Sequence, residues 1–174
     1  EYAEKLLQSG HAYRCFCSEE ELAQEKEQEE AASKPYIYSR KCLNMTPQDA
    51  DAFVAQGRSY VVRFKVPTSN KLTYHDLIRG DIVFDLSLFS DFVLLKSDRS
   101  PSYNFAVVVD DMLMNITHVI RGEDHISNTP KQICLYQAFG SQLPQFAHLP
   151  IILGTDRSKL SKRHGATSVT EYAE

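Results

Sequence analysis

Two short segments rich in apolar residues, 105–109 and 117–120, constrain the fold of this chain more than any other feature of its sequence. Short continuous apolar segments are typical of strands covered on both faces, as in a parallel sheet. A short helix is the alternative for the first run, because five residues do not separate the two periodicities. A helix is predicted at residues 127–139, since Pro130 lies in its first turn and Gly140 follows its end. This part of the chain is therefore predicted to be α/β.

The region before residue 100 has shorter and more varied elements. Residues 60–66 alternate with period two, which predicts a half-buried strand with Val62 and Phe64 on one face and Arg63 on the other. Three more short strands are predicted, at residues 71–75, 81–86 and 92–96. A compact α+β unit over residues 11–100 is the expected organisation.

Helix starts in this region are marked by capping residues. Residues 1–9 are predicted to be helical. Ser18 and Glu21 form a capping-box pattern before a helix without an apolar stripe, which indicates a solvated surface helix. Thr46 is the expected N-cap of a further helix, with Pro47 at its first position.

The charge distribution permits an anionic partner. The net charge is −4, but residues 19–30 hold seven Glu and one Lys, so the rest of the chain is slightly positive. RNA or a nucleotide phosphate is therefore not excluded. No apolar run approaches the roughly 18 residues of a membrane span, so no membrane partner is expected.

A basic loop at residues 159–165 has the composition of an anion clamp. It reads Lys-Leu-Ser-Lys-Arg-His-Gly. Cationic side chains on a Gly-flanked loop can close over a polyphosphate and stabilise the charge of a leaving group. The alternative is a solvated basic loop.

A second polar cluster, residues 121–125, directly follows the predicted strand 117–120. Ligands of open α/β sheets bind beyond the carboxyl ends of the strands. Arg121 offers a planar fork of donors that suits a carboxylate and has no acceptor for an amide NH₂. The alternative is an ordinary surface loop with an internal ion pair.

Three of the four cysteines have a spacing that suits a metal. Cys15, Cys17 and Cys42 can supply thiolates to a tetrahedral zinc site, for which Tyr38 would be an unusual fourth ligand. The alternative is a set of small buried thiols. Cys134 lies mid-helix among apolar residues, where a core role is expected.

Several of these motifs resemble one known family. Residues 159–163 are similar to the second signature motif of class I aminoacyl-tRNA synthetases. Other segments resemble bacterial-type glutamyl-tRNA synthetases in the same order and at compatible spacing: residues 61–67, 77–81, 100–111, 117–125 and 146–150. The resemblance covers essentially the whole chain.

The resemblance implies a fold and a domain division. The fold would be α/β, the C-terminal half of a class I synthetase Rossmann fold with an inserted α+β connective domain that receives the tRNA acceptor end. Residues 1–10 would end the first Rossmann half and residues 11–100 would form the connective domain. Residues 101–150 would be the second Rossmann half, and residues 151–174 would begin the stem-contact region with the basic loop.

The resemblance also implies an activity and its substrates. The activity is ATP-dependent activation of L-glutamate to glutamyl-adenylate, followed by transfer to tRNA(Glu), with Mg²⁺ on ATP. A bacterial cytoplasmic enzyme is implied, and an organelle is the alternative.

Site residues carry over from the family position by position. Tyr103 and Arg121 would hold the glutamate, with Arg121 on its side-chain carboxylate, while Asp124 and His125 would lie near the junction with ATP. Other roles would be catalysis and ATP binding by Lys159 and Lys162, ATP binding by Ser161, tRNA binding by Arg79, and zinc binding by Cys15, Cys17, Tyr38 and Cys42.

The family's first signature, His-Ile-Gly-His, does not occur in these 174 residues, nor do the anticodon-binding helices. The chain is therefore expected to be an internal fragment that makes no glutamyl-adenylate alone. Two alternatives remain: the paralogue that modifies tRNA(Asp) with glutamate, and a non-catalytic RNA- or metal-binding module.

Overall fold

The computed structural model describes residues 1–31, 36–68 and 71–151, and predictions for residues 152–174 lie outside them. The helices are α1 (Tyr2–Gln8), α2 (Glu19–Ala31), α3 (Pro47–Ala55), α4 (Tyr103–Leu113) and α5 (Thr129–Phe139). The strands are β1 (Ala12–Cys15), β2 (Val61–Phe64), β3 (Lys71–Asp76), β4 (Gly80–Asp85), β5 (Val93–Leu95), β6 (His118–Gly122) and β7 (Gln145–Leu149). Short 3₁₀ segments occur at Leu86–Leu88 and Glu123–Asn128.

Local capping chemistry starts the helices where the sequence predicts. The Glu21 N–H donates to Ser18 Oγ at 3.2 Å, and the Ser18 N–H donates to a Glu21 carboxylate oxygen at 2.9 Å. This reciprocal pair is the predicted capping box. Thr46 is the N-cap of α3, which begins at Pro47, and its Oγ1 accepts from the Asp49 N–H at 3.1 Å. Helix α2 buries none of its residues, as expected for a solvated helix.

The first sheet is antiparallel, in the order β1-β2-β5. Its central strand, β2, contributes Val62 and Phe64 to the core, each 2% exposed. Arg63 on the opposite face is only 9% exposed, so the prediction of a half-buried strand was wrong for that position. The Arg63 guanidinium lies 4.3 Å from the Tyr38 ring centroid, which shows that a second cluster covers this face.

The second sheet is mixed, in the order β4-β3-β7-β6. Strands β3 and β4 form an antiparallel hairpin, whereas β7 pairs in parallel with both β3 and β6. The hairpin, from the predicted 11–100 unit, therefore shares a sheet with strands of the predicted 101–150 unit. The domain boundaries themselves stay predictions.

The apolar run at 105–109 is helical, so its interpretation as a strand was wrong and its helical alternative is confirmed. Within α4, Phe105 and Val108 are buried three residues apart, which is the spacing of one helix face. Strand β6 is confirmed, but not its predicted burial on both faces, because Ile120 is 64% exposed. In the described part of the sheet β6 is an edge strand, and only one neighbour, β7, pairs with it.

Helices α4 and α5 pack on the main core. Leu94, Val108 and Leu135 are fully buried there. Cys134 is 3% exposed within the same core, which confirms its predicted packing role. Of the helices in the described ranges, none is long and apolar enough to cross a membrane.

Candidate functional site

Three parallel strands end at one edge of the mixed sheet and bring polar side chains together there. Asp76 is the last residue of β3, and Arg121 and His148 are register partners in β6 and β7. Carboxyl ends of parallel strands are the usual ligand-binding edge of an α/β sheet. This edge is therefore the candidate ligand site.

Arg121 is held at this edge by acceptors of the protein. Its Nε donates to His148 Nε2 at 3.1 Å. Its Nη2 donates to Thr129 Oγ1 and Gln132 Oε1, each at 2.8 Å. These acceptors are neutral, and among the described residues no ion pair joins Arg121 to a carboxylate. Desolvation lowers the pKa of this half-buried guanidinium, which still leaves it a cation at neutral pH.

Two further predicted residues lie beside Arg121. Tyr103 opens α4 and is 54% exposed, and its effect on Arg121 opposes the lowering of the guanidinium pKa by desolvation. The Tyr103 ring centroid lies 6.0 Å from that of His125. The structure thus gathers Tyr103, Arg121 and His125 from two helical segments and a strand.

Asp124 lies in the 3₁₀ segment that follows β6, and its carboxylate folds back over Gly122. A Cβ at Gly122 would come within 2.5 Å of Asp124 Oδ1. A side chain at position 122 would therefore displace this carboxylate.

Arg79 lies in the turn between β3 and β4, next to the same edge. It forms an ion pair with Glu123, and its Nε donates to the His148 carbonyl oxygen at 3.4 Å. The other Glu123 oxygen accepts from the Ile151 N–H at 3.0 Å. Arg79 is therefore fixed against the sheet edge.

Sequence reasoning assigned no role to two residues of this edge, Asp76 and His148. Both side chains are 0% exposed, and His148 Nδ1 lies 2.5 Å from Asp76 Oδ2. The available signal was a histidine in the otherwise apolar end of a strand, at 146–149. The aspartate partner is 72 residues away in sequence, so no local pattern joins the two.

The predicted phosphate-binding residues, Lys159, Ser161 and Lys162, lie outside the described residues. Their position relative to this edge stays a prediction.

A separate cluster joins β1 to the segment before α3. The sulfur atoms of Cys15, Cys17 and Cys42 lie within 4.8 Å of one another. The Tyr38 hydroxyl lies 3.2 Å from the Cys15 sulfur and 3.4 Å from the Cys17 sulfur. All four predicted metal ligands are therefore brought together by the fold.

The cluster favours a negative charge on sulfur. The pKa of the Cys15 thiol is lowered to about 4, first by hydrogen bonding with Cys42 and then by Tyr38 and Arg63, against an opposing effect of burial. The pKa of Cys17 is raised chiefly by burial, and that of Cys42 chiefly by its hydrogen bond to Cys15. Among the three thiols, Cys15 is therefore the one that loses its proton most readily.

Comparison with known protein families matches nearly the whole chain. A family described as "tRNA synthetases class I (E and Q), catalytic domain" matches residues 1–173. A glutamate–tRNA ligase of Aquifex aeolicus is 60% identical over 100% of this chain and 37% of its own length. Glutamate–tRNA ligase 2 of Thermoanaerobacter pseudethanolicus is 53% identical over 99% of this chain and 36% of its own length.

A solved structure agrees with these matches. A crystal structure of a glutamate tRNA ligase from Elizabethkingia meningosepticum, in complex with its amino acid, has a TM-score of 0.84 and 36% identity. The superposition covers 94% of this chain and 34% of that chain. The present chain thus spans a little over a third of the length of the relatives it matches.

Proposed function

The chain belongs to the class I tRNA synthetase family for glutamate and glutamine, within its catalytic domain, and from this we propose that it forms part of a glutamate–tRNA ligase. The proposed reaction joins L-glutamate to tRNA(Glu) through glutamyl-adenylate, with ATP as co-substrate and Mg²⁺ on the ATP. The matches also confirm the predicted fold class, because the structural similarity is to a synthetase of this family. A bacterial cytoplasmic location is part of the proposal, since the matched ligases come from bacteria.

One observation carries the proposal: Arg121 presents a partly buried cation that has only neutral acceptors among the described residues. A partly buried guanidinium with no ion-pair partner favours an anionic ligand, because a carboxylate restores the interactions lost by desolvation. Nε and Nη2 of Arg121 already donate within the protein, so a ligand would meet Nη1, to which either oxygen of a carboxylate offers a charged acceptor, whereas a carboxamide offers one neutral oxygen and an NH₂ that cannot accept. We therefore assign the side-chain carboxylate of glutamate to Arg121, with Tyr103 as a second contact.

The remaining predicted site residues are given roles in the same proposed reaction. Asp124 and His125 follow Arg121 in the 3₁₀ segment, so we propose that they face the junction between glutamate and ATP. Lys159 and Lys162 would stabilise the developing charge of pyrophosphate, with Ser161 also binding ATP. Arg79 would contact the tRNA end, and its ion pair with Glu123 would then exchange for a phosphate.

Glutamate-dependent ATP–pyrophosphate exchange in the presence of tRNA tests this function directly. The full natural polypeptide is expected to exchange with glutamate and to discriminate against glutamine and aspartate. The isolated 174-residue chain serves as the control and is expected to be inactive, because it has no His-Ile-Gly-His element. Exchange that does not depend on glutamate would contradict the proposal, and exchange by the isolated chain would contradict the prediction that this fragment is inactive.

We further propose that the thiol cluster binds structural Zn²⁺ through Cys15, Cys17, Cys42 and Tyr38. Zinc–thiolate bonds of about 2.3 Å place sulfurs of a tetrahedral site about 3.8 Å apart, and the Cys17 and Cys42 sulfurs are 3.7 Å apart. The Phe16 N–H already donates to the Cys42 sulfur at 3.4 Å, which is the kind of contact that orients a metal ligand. Bound zinc would cross-link β1 to the segment before α3.

Removing one thiol is expected to weaken zinc binding. Cys17→Ala should lower the affinity for zinc by about 100-fold or more, since loss of a hydrogen-bond partner of a metal ligand by itself costs 10- to 100-fold. The measurement is zinc stoichiometry and competition with a chromophoric chelator. Cys134→Ala is the matched control, because this buried cysteine lies in the other core, and it should keep one zinc per chain. A wild-type protein without stoichiometric zinc would contradict the assignment.

A further inference from the structure

The buried pair Asp76 and His148 connects the interior of the sheet to Arg121. His148 Nδ1 lies 2.5 Å from Asp76 Oδ2, and Arg121 Nε donates to His148 Nε2 at 3.1 Å. The three residues lie at the carboxyl ends of three adjacent strands, β3, β7 and β6. They form a continuous line from a buried carboxylate to a partly exposed cation.

The hydrogen bonds determine where the His148 proton lies. Arg121 Nε–H can only donate, so His148 Nε2 must accept and carry no proton. The imidazole proton is then on Nδ1, where it is donated to Asp76. A doubly protonated imidazolium would leave Arg121 facing a second donor.

The hydrogen bonds of Asp76 keep its carboxylate ionised, and an ionised carboxylate stabilises the Nδ1-protonated tautomer of His148. Its Oδ1 accepts the N–H groups of Ile78 and Arg79 at 3.0 Å each, and that of His148 at 3.2 Å. Burial by itself would raise the pKa of Asp76, but the His148 side chain and these three N–H groups lower it to about 2. The carboxylate therefore stays ionised at neutral pH.

A neutral imidazole between the two charges has a consequence for binding. A carboxylate placed directly on Arg121 would fix the guanidinium but would also neutralise it. His148 orients Nε without supplying a negative charge, and Thr129 and Gln132 do the same for Nη2. The cation is thus oriented and still able to attract an anion.

We infer that Asp76 and His148 are positioning residues that orient the Arg121 guanidinium toward the side-chain carboxylate of the amino-acid substrate. This inference rests on the proposed function, since it assumes that Arg121 binds that carboxylate. The pair sets selectivity for a carboxylate over a carboxamide through the neutral, Nδ1-protonated state of His148. The acceptor at Nε2 is the element that an apolar residue of equal volume would not replace.

Variants of His148 separate positioning from packing. In His148→Asn the amide reaches the place of Nδ1, so it keeps a donor for Asp76 but leaves Arg121 Nε without an acceptor. In His148→Gln the amide oxygen reaches the place of Nε2 and restores that acceptor. His75→Asn is the matched control, since His75 forms an exposed pair with Asp81 at 2.7 Å in the same hairpin.

The full natural polypeptide is assayed by pyrophosphate exchange with glutamate and with glutamine, in the presence of tRNA. His148→Asn should raise KM for glutamate about 10- to 100-fold, as for loss of a hydrogen bond to a charged group, with kcat changed less than about threefold. Its preference for glutamate over glutamine should fall by the same factor. His148→Gln should recover most of both losses, and His75→Asn should match the wild type.

A spectroscopic arm tests the tautomer without relying on activity. The ¹⁵N shifts of His148 should show Nδ1–H and a bare Nε2 in the wild type. In Asp76→Asn the new amide N–H can donate to Nδ1, so the proton should move to Nε2, and KM for glutamate should rise as in His148→Asn.

The outcomes distinguish this inference from the proposed function. An Nε2–H tautomer in the wild type, or a His148→Asn variant that loses kcat at unchanged KM, would overturn the inference. His148→Asn with the same kinetics as His75→Asn would also overturn it. A wild-type protein without glutamate-dependent exchange would instead overturn the proposed function, and the tautomer result would still decide the arrangement of the pair.

Discussion

Replacing Arg121 with alanine in the full natural polypeptide is expected to lower kcat/KM for glutamate about 100- to 1000-fold, which corresponds to roughly 3–4 kcal/mol. The reason is that the Arg121 guanidinium is the proposed partner of the substrate carboxylate, in a partly buried site where the pair is poorly screened. Its removal also takes the guanidinium donor away from His148 Nε2 and Gln132 Oε1. Pyrophosphate exchange with varied glutamate measures the effect.

Two further substitutions separate charge from geometry. Arg121→Lys keeps a cation but loses the planar fork, so an intermediate loss is expected. Arg121→Gln removes the charge and should shift the preference from glutamate toward glutamine. Arg58→Ala is the control, because this exposed arginine stacks on the Phe53 ring at 4.1 Å, outside the site. Wild-type discrimination in Arg121→Gln would exclude Arg121 as the carboxylate contact.

Replacing Asp91 with alanine is expected to lower the free energy of unfolding by about 3–5 kcal/mol, as for a buried ion pair that loses one partner. Asp91 is 1% exposed and accepts at Oδ1 from Arg40 Nη2 at 2.6 Å and from the Val66 N–H at 2.8 Å. Its Oδ2 accepts from the Tyr13 hydroxyl at 2.8 Å. The alanine variant would remove the acceptor of the Val66 N–H and of the Tyr13 hydroxyl, and it would leave Arg40 Nη2 with the Val66 carbonyl oxygen but without its carboxylate.

Urea unfolding at one fixed zinc concentration measures this loss, since bound metal itself changes stability. Asp91→Asn keeps the shape and an acceptor oxygen, so a smaller loss of about 1–3 kcal/mol is expected. Asp51→Ala removes an exposed partner of Arg14 and should cost less than about 1 kcal/mol. Equal losses for Asp91→Ala and Asp51→Ala would show that the buried network contributes no more than a surface ion pair.

Local chemistry made much of the secondary structure predictable. The reciprocal bonds of Ser18 and Glu21 and the cap at Thr46 depend only on residues within three positions. The alternation of apolar and polar residues at 60–66 predicted β2, because this pattern too depends only on residues close together in sequence. It did not predict the burial of Arg63, because that depends on Tyr38 and the thiol cluster covering the second face of the strand.

The apolar run at 105–109 shows where local pattern stops being sufficient. Five apolar residues suit a buried strand and a buried helix equally. Here α4 packs against α5, with Phe105 and Val108 on the buried side. The choice was therefore made by packing between elements, which the run itself does not encode.

The sequence by itself determined the family, the helix caps and several of the strands. It also singled out Arg121 and the four candidate zinc ligands, because each of these features depends on residues close together or on a recognisable motif. Only the tertiary structure decided that β3, β7 and β6 end at one edge, and that Asp76 and His148 stand behind Arg121 there. The physical reason is that hydrogen bonds form between groups that are close in space. A contact across 72 residues exists only after parallel strands have been set side by side by the packing of the sheet.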